Sequence, residues 1–347
     1  MAQQIISTPP AQTGRLSSVG EAADDAEEAG EGEQRDFVVP PQWHGERLDK
    51  TMAEVLAEFS RSWLQQLLQE GCVRVNGVVA TKAAQRCVAG QSVSVCLRPT
   101  PQARAFRPEA IALDVVHEDE HLLVIAKPAG MVVHPAAGHW SGTLLNALLA
   151  YHGQASHLPR AGIVHRLDKD TSGLMLVAKS RQAMDALVQA IAERRVQRRY
   201  IALAHGPWRR EPRVEVEQWI GRDPANRLRM AVLPAHSGGA KSAHTTLSCV
   251  HSDASVSVLI CKLHTGRTHQ IRVHAAWLGH PLLGDGVYGG RPDGGIVRQA
   301  LHAAHLALPH PITGAPLAFH ATPPPDLLAA LQQRGLGYNP GWWDELA

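Results

Sequence analysis

The chain has 347 residues, 44% of them hydrophobic, which is enough to bury a sizeable core and predicts two domains rather than one. No run approaches the roughly 18 continuous apolar residues of a membrane helix, and the first residues lack an export signature, which predicts a cytoplasmic protein with no membrane partner. The net charge of +2 is uneven: residues 1–36 hold eight acids against Arg15 and Arg35, a net of −6, so the remainder carries +8, a surplus suited to phosphate backbones.

In chain order, residues 1–36 are rich in Ala, Glu, Gly, Ser and Gln and poor in bulky apolar residues, which predicts a disordered acidic tail. Leu48, Met52, Val55, Leu56 and Phe59 then recur at helical spacing, as do Trp63, Leu64, Leu67 and Leu68 after Ser60 or Ser62 as N-cap. Gly71 is placed to end the second helix, and residues 73–79 alternate around Asn76-Gly77, a strong hairpin signal. The small module therefore reads helix, helix, hairpin. Five cysteines, Cys72, Cys87, Cys96, Cys249 and Cys261, are widely spaced without a Cys-x-x-Cys pair and read as reduced small hydrophobes.

Residues 99–108 lack periodicity, which places a linker at 101–110. From residue 111 to about 330, strand-like runs (111–116, 122–126, 201–204) alternate with helical ones (Met184, Leu187, Val188, Ile191), the pattern of an α/β or α+β body. Thr268 is positioned to cap a helix carrying Ile271, Ala275 and Leu278 and ending at Gly279, before Pro281. Residues 331–347 read as a surface extension whose Trp342-Trp343 pair docks on the body.

Residues 162–179 set a dense polar loop, His165-Arg166-Leu167-Asp168-Lys169-Asp170-Thr171-Ser172-Gly173, between apolar runs. One reading makes Asp168 and Asp170 solvated turn formers. The other makes Asp168 a carboxylate kept ionised by Arg166 and Lys169, as a nucleophile must be. Composition does not decide between them.

This segment resembles the signature of the RluA-type family of pseudouridine synthases, in which the aspartate of His-Arg-Leu-Asp is catalytic. Five further segments agree in order: 126–135 (Ala-Lys-Pro-Ala-Gly-Met-Val-Val-His-Pro), 195–200 (Arg-Val-Gln-Arg-Arg-Tyr), 265–274 (Thr-Gly-Arg-Thr-His-Gln-Ile-Arg-Val-His), 284–290 (Gly-Asp-Gly-Val-Tyr-Gly-Gly) and 298–303 (Arg-Gln-Ala-Leu-His-Ala). Arg198 stands where many members carry lysine. Residues 44–100, with Arg47-Leu48-Asp49 and Ser60-Arg61-Ser62, are similar to an S4 RNA-binding domain. Ser60-Arg61-Ser62, residues 134–138 and residues 159–162 most resemble the branch that modifies large-subunit ribosomal RNA.

The resemblance implies an α+β fold: a mixed, largely antiparallel sheet with flanking helices over 111–330, after a small N-terminal α/β S4 module. It implies Asp168 as catalytic carboxylate, Tyr200 as the residue stacking on uracil and accepting a proton, and Arg267 as the arginine pairing with Asp168. Arg166 would fill the space left by a flipped uridine. Arg61, Arg74 and Arg198, with Arg194, Arg195 and Arg199, are candidate phosphate contacts. No cofactor and no metal is implied. The expected partner is large-subunit ribosomal RNA or a pre-ribosomal particle, met by a monomer; transfer RNA, or a non-catalytic role in ribosome assembly, are the alternatives. The 20 histidines include His264, His269 and His274, and His302, His305 and His310, but no carboxylate or cysteine accompanies either group at zinc-finger or metalloprotease spacing. His165 and His269 read instead as hydrogen bonders that order loops.

Overall fold

The computed structural model describes residues 33–97 and 105–343, apart from residues 137, 227 and 238. The chain divides into two compact units, residues 1–100 and 101–347.

In the first unit, β1 (Glu33–Val38) precedes α1 (Leu48–Val55) and α2 (Arg61–Gln69), followed by β2 (Val73–Val75), β3 (Val78–Val79) and β4 (Ser92–Leu97). The strands form one sheet in the order β1-β4-β2-β3. Leu48, Met52, Trp63, Leu64, Leu67 and Leu68, the residues that marked the two helices by their spacing, bury one face of each against it. Ser60 caps α2 by accepting from the Trp63 amide. Asn76 (φ +50°) and Gly77 (φ +80°) supply the two left-handed residues of a tight hairpin turn. The predicted tail needs correction at its end, because residues 33–36 belong to β1, paired antiparallel with β4. Composition could not reveal this, since the pairing partner lies some sixty residues away. The rest of that segment lies outside the described residues, as do 101–104 of the expected linker.

The second unit is built on a ten-stranded sheet. Its first strands are β5 (Val115–Glu118) and β6 (Leu122–Lys127); after α3 (Leu144–Tyr151) come β7 (Ser172–Ala178), α4 (Arg181–Ala192) and β8 (Gln197–His205). Then follow β9 (Arg213–Arg222), β10 (Met230–Leu233), β11 (Lys241–Ser252), β12 (Val256–Leu263), α5 (Gln270–Trp277), β13 (Leu301–Pro309), β14 (Pro316–His320) and α6 (Pro325–Gln332). The order is β10-β9-β11-β12-β8-β13-β7-β6-β5, with β14 added on β13; only β13 with β7 is parallel. This is the α+β arrangement expected. The first predicted strand is shorter than 111–116 suggested, since pairing with β6 begins at Val115. Apolar side chains on the two faces of the sheet form separate cores, one with α3 and α5 and one with α4. Trp343 is buried, and its carbonyl accepts from Arg199. Among the described residues no helix is long and apolar enough to cross a membrane.

The one parallel pairing makes a demand on sequence. Gly173 faces Ala303 across it at φ +113°, and a Cβ there would stand 2.2 Å from the Ala303 carbonyl oxygen. Gly173→Ala is therefore expected to lose about 3 kcal/mol or more of stability in urea titration. A loss below about 1 kcal/mol would contradict the close approach.

Candidate active site

The loop between residues 163 and 172 is tethered from several sides before any side chain in it can act. Asp168 opens a turn, its carbonyl accepting from the Thr171 amide at 3.1 Å. His165 Nε2 accepts from the Leu176 amide of β7 at 2.8 Å. Lys127, 1% exposed at the end of β6, donates Nζ to the carbonyls of Pro128, Met131 and Lys169 at 2.8, 3.0 and 2.9 Å. Burial draws its pKa down to about 8. Arg298 Nη1 holds the Asp170 carbonyl at 2.9 Å from the far side. The segments containing Lys127 and Arg298 fit the motif pattern, but neither role is legible along the chain, because carbonyl partners leave no mark in a sequence.

On this loop the Asp168 carboxylate, 17% exposed, accepts from Arg272 Nη1 at 3.0 Å. Arg272 in turn grips the buried Asp285 as a fork, Nε to Oδ2 at 2.7 Å and Nη2 to Oδ1 at 2.8 Å. Burial alone would lower the Arg272 pKa, but Asp285 and Asp168 outweigh it and raise it, so the guanidinium keeps its charge. Tyr288 supports the same guanidinium with its ring, 5.0 Å away, and its hydroxyl pairs with His269 Nδ1 at 2.9 Å. His269 Nε2 comes within 3.9 Å of the Asp168 carboxylate.

The expected partner of Asp168 is thus corrected from Arg267 to Arg272. Arg267 instead donates Nε to the Ser242 carbonyl at 3.0 Å. The cause is the helix start: His269, not Thr268, stands at the N-cap of α5, in the left-handed region at φ +56°. The Gln270 side chain folds back to accept from the Arg267 amide at 2.9 Å. The helix then carries Arg272 inward, while Arg267 stays on the preceding loop.

Asp168 opens onto a cavity of about 490 Å³ whose lining contains Tyr200 and five arginines, Arg160, Arg166, Arg194, Arg198 and Arg267, with Asp168 as the sole carboxylate among the described residues. Tyr200 is 4% exposed in β8, opposite Cys261 of β12. Burial pushes its phenol up to about 12, so it is neutral at working pH. Arg166 is exposed at the rim beside the carboxylate; Arg198 is nearly buried in the wall, its Nε without a hydrogen-bond partner. Cationic walls around one carboxylate suit a polyanionic ligand with a neutral group inserted.

The other cationic candidates are dispersed. Arg199 is turned to Trp343, and Arg195 is paired with Glu193 at 2.7 Å. In the first unit Arg74 is exposed, and Arg61 is half exposed beside Asp49 at 2.8 Å. Burial would raise the Asp49 carboxyl, but hydrogen bonds from Arg47, Arg61 and Gln65 outweigh it and hold Asp49 well below the usual range. Arg61 is thereby held in one orientation.

Several histidines of this body are held neutral by partial or full burial. Burial takes His165 to about 3 and His134, His274 and His302 to about 4. Each is lower folded than the ordinary 6.5, so the unfolded chain binds more protons below that value, and stability present above pH 6.5 is lost as pH falls toward 4 and 3. Thermal melts are expected to show a steep drop in Tm over pH 6.5 to 4. A flat Tm across that window would rule the assignment out.

Residues 121–277 match the family described as RNA pseudouridylate synthase, and residues 46–93 match the S4 domain. A ribosomal large subunit pseudouridine synthase D of Neisseria meningitidis is 45% identical over 302 residues, covering 84% of this chain and 79% of that one. Its namesake from Nitrosomonas europaea is 44% identical over 305 residues (86% and 87%), and that of Escherichia coli O6:H1 42% over 301 (83% and 90%). Among solved structures, human RNA pseudouridylate synthase domain containing 1 superposes with a TM-score of 0.51 at 28% identity, covering 64% of this chain and 89% of that one.

Proposed function

Since the chain belongs to the RluA-type family of RNA pseudouridylate synthases and is an isomerase, we propose that it converts uridines of large-subunit ribosomal RNA to pseudouridine, with Asp168 as the reacting carboxylate. The reaction breaks the bond between uracil N1 and ribose C1′, turns the base, joins C5 to C1′ and releases the C5 proton while N1 regains one. Product and substrate are isomers.

The observation that carries this reading is the Asp285–Arg272–Asp168 line ending at a cavity faced by Tyr200. An ionised carboxylate serves attack on C1′, attack on uracil C6 and assistance to glycal formation alike. Arg272 holds and aims the Asp168 carboxylate, the role first expected of Arg267, and Arg267 becomes an RNA contact of the cavity wall together with Arg198. A stacked uridine must be flipped out, at a cost of a few kcal/mol, and Arg166 at the rim is the residue to fill the gap. Tyr200 stacks on the uracil inside. Arg61 and Arg74 of the S4 module add phosphate contacts. The protein works as a monomer in the cytoplasm, on ribosomal RNA or a pre-ribosomal particle.

The test is release of tritium from RNA labelled at uracil C5. Large-subunit ribosomal RNA should release it and transfer RNA should not. Release from transfer RNA alone would overturn the substrate assignment, and release from neither would overturn the reading.

A further inference from the structure

Beside the cavity the sheet gathers side chains that the chain keeps far apart. Glu215 of β9 and Thr246 of β11 are register partners; His244 lies two residues earlier on β11, hence on the same face, and His264 follows β12. Glu215 Oε2 stands 2.7 Å from His244 Nε2 and 2.8 Å from Thr246 Oγ1, which is itself 2.8 Å from His264 Nε2. One ligand atom from each of Glu215, His244 and His264 lies within 4.8 Å of the others, the single such trio among the described residues.

Two imidazoles and one carboxylate with an adjacent hydroxyl are the ligand set of a borderline divalent metal. Zinc bonds of about 2.0–2.1 Å put tetrahedral ligands roughly 3.3 Å apart; Glu215 and His244 already stand 2.7 Å apart, and the whole trio lies within 4.8 Å. The His244 and His264 rings stack at 4.0 Å and 14°, so binding one ion requires one of them to turn about its χ2. His244 Nδ1 already has the Glu217 carboxylate 3.6 Å away, the outer partner that metal-bound histidines commonly use. Two strands of the sheet and the residue that directly follows a third supply the ligands, so the backbone scaffold is well anchored. His264 and residues 265–267 line the cavity described above.

We propose that Glu215, His244 and His264 form a site for a divalent transition metal, zinc or a close analogue, and that its occupancy inhibits the isomerase by fixing His264 and the adjoining cavity wall. The inhibition rests on the reading of the cavity as the uridine pocket; the binding does not.

The full chain, stripped with EDTA, would be titrated with zinc by calorimetry and with cobalt by visible absorption. One zinc per chain is expected, with intense tetrahedral cobalt bands, and affinity falling about tenfold or more in His244→Gln and in Glu215→Gln. Zinc should slow tritium release several-fold in the parent, reversibly with EDTA, and leave His244→Gln unaffected. No saturable binding, or undiminished affinity in whichever of the two variants folds, overturns the site. Equal inhibition of parent and His244→Gln overturns the inhibitory role, whereas absent tritium release in EDTA would instead count against the proposed function.

Discussion

Asp168→Asn is expected to abolish isomerisation, lowering tritium release by at least about three orders of magnitude, the scale on which loss of a reacting group acts. The amide preserves shape and can still accept from Arg272, so the fold and the cavity should survive and RNA should still bind. What disappears is the negative charge that every route to the C5-glycoside requires. Among the described residues Asp168 is the sole carboxylate lining that cavity with its five arginines, and Asp285, the other acid on Arg272, is 1% exposed and locked in the fork. Filter binding would show RNA affinity within a few-fold of the parent. Residual turnover above one per cent of the parent would remove Asp168 from the reaction.

The second large effect is expected one step behind the carboxylate. Asp285→Asn leaves the Arg272 guanidinium, 6% exposed, with Asp168 as its remaining carboxylate partner and breaks the buried fork that fixes its plane. Removing one member of such a buried pair costs on the order of 3–5 kcal/mol, which denaturant titration reads. Because Arg272 Nη1 aims Asp168, kcat should also fall by about a hundredfold in the fraction that remains folded, with KM much less affected. The split between kcat and KM separates positioning from simple destabilisation. A folded Asp285→Asn enzyme with parental kcat would show that the fork serves stability alone.

Much of this molecule could be read along the chain. The S4 helices, the cap at Ser60 and the Asn76-Gly77 turn follow from spacings of a few residues, and such local preferences survive folding when the rest of the fold agrees with them. The identity of Asp168 as the residue to watch came from an ordered set of motifs, not from its own neighbourhood, which suited a solvated turn equally well. In the fold Asp168 both opens a turn and faces a cavity, its carboxylate held by a buried arginine.

What sequence spacing could not separate were contacts made across the fold. Arg267 and Arg272 sit five residues apart in one motif, and either could reach a carboxylate until the left-handed His269 set where α5 begins and which of them turns inward. Lys127 works through three carbonyls, and Glu215, His244 and His264 meet only because β9, β11 and β12 are neighbours in the sheet. Residues 33–36 looked too polar to order, yet they pair as a strand, since the energy of a ladder depends on the partner strand and not on the segment's own composition. By itself the sequence pointed to most local elements of the two units, to the family and to Asp168 as the candidate carboxylate. Tertiary structure alone decided which groups hold that carboxylate, because hydrogen bonds and ion pairs between distant segments depend on how strands and helices are brought together and leave no periodicity to read.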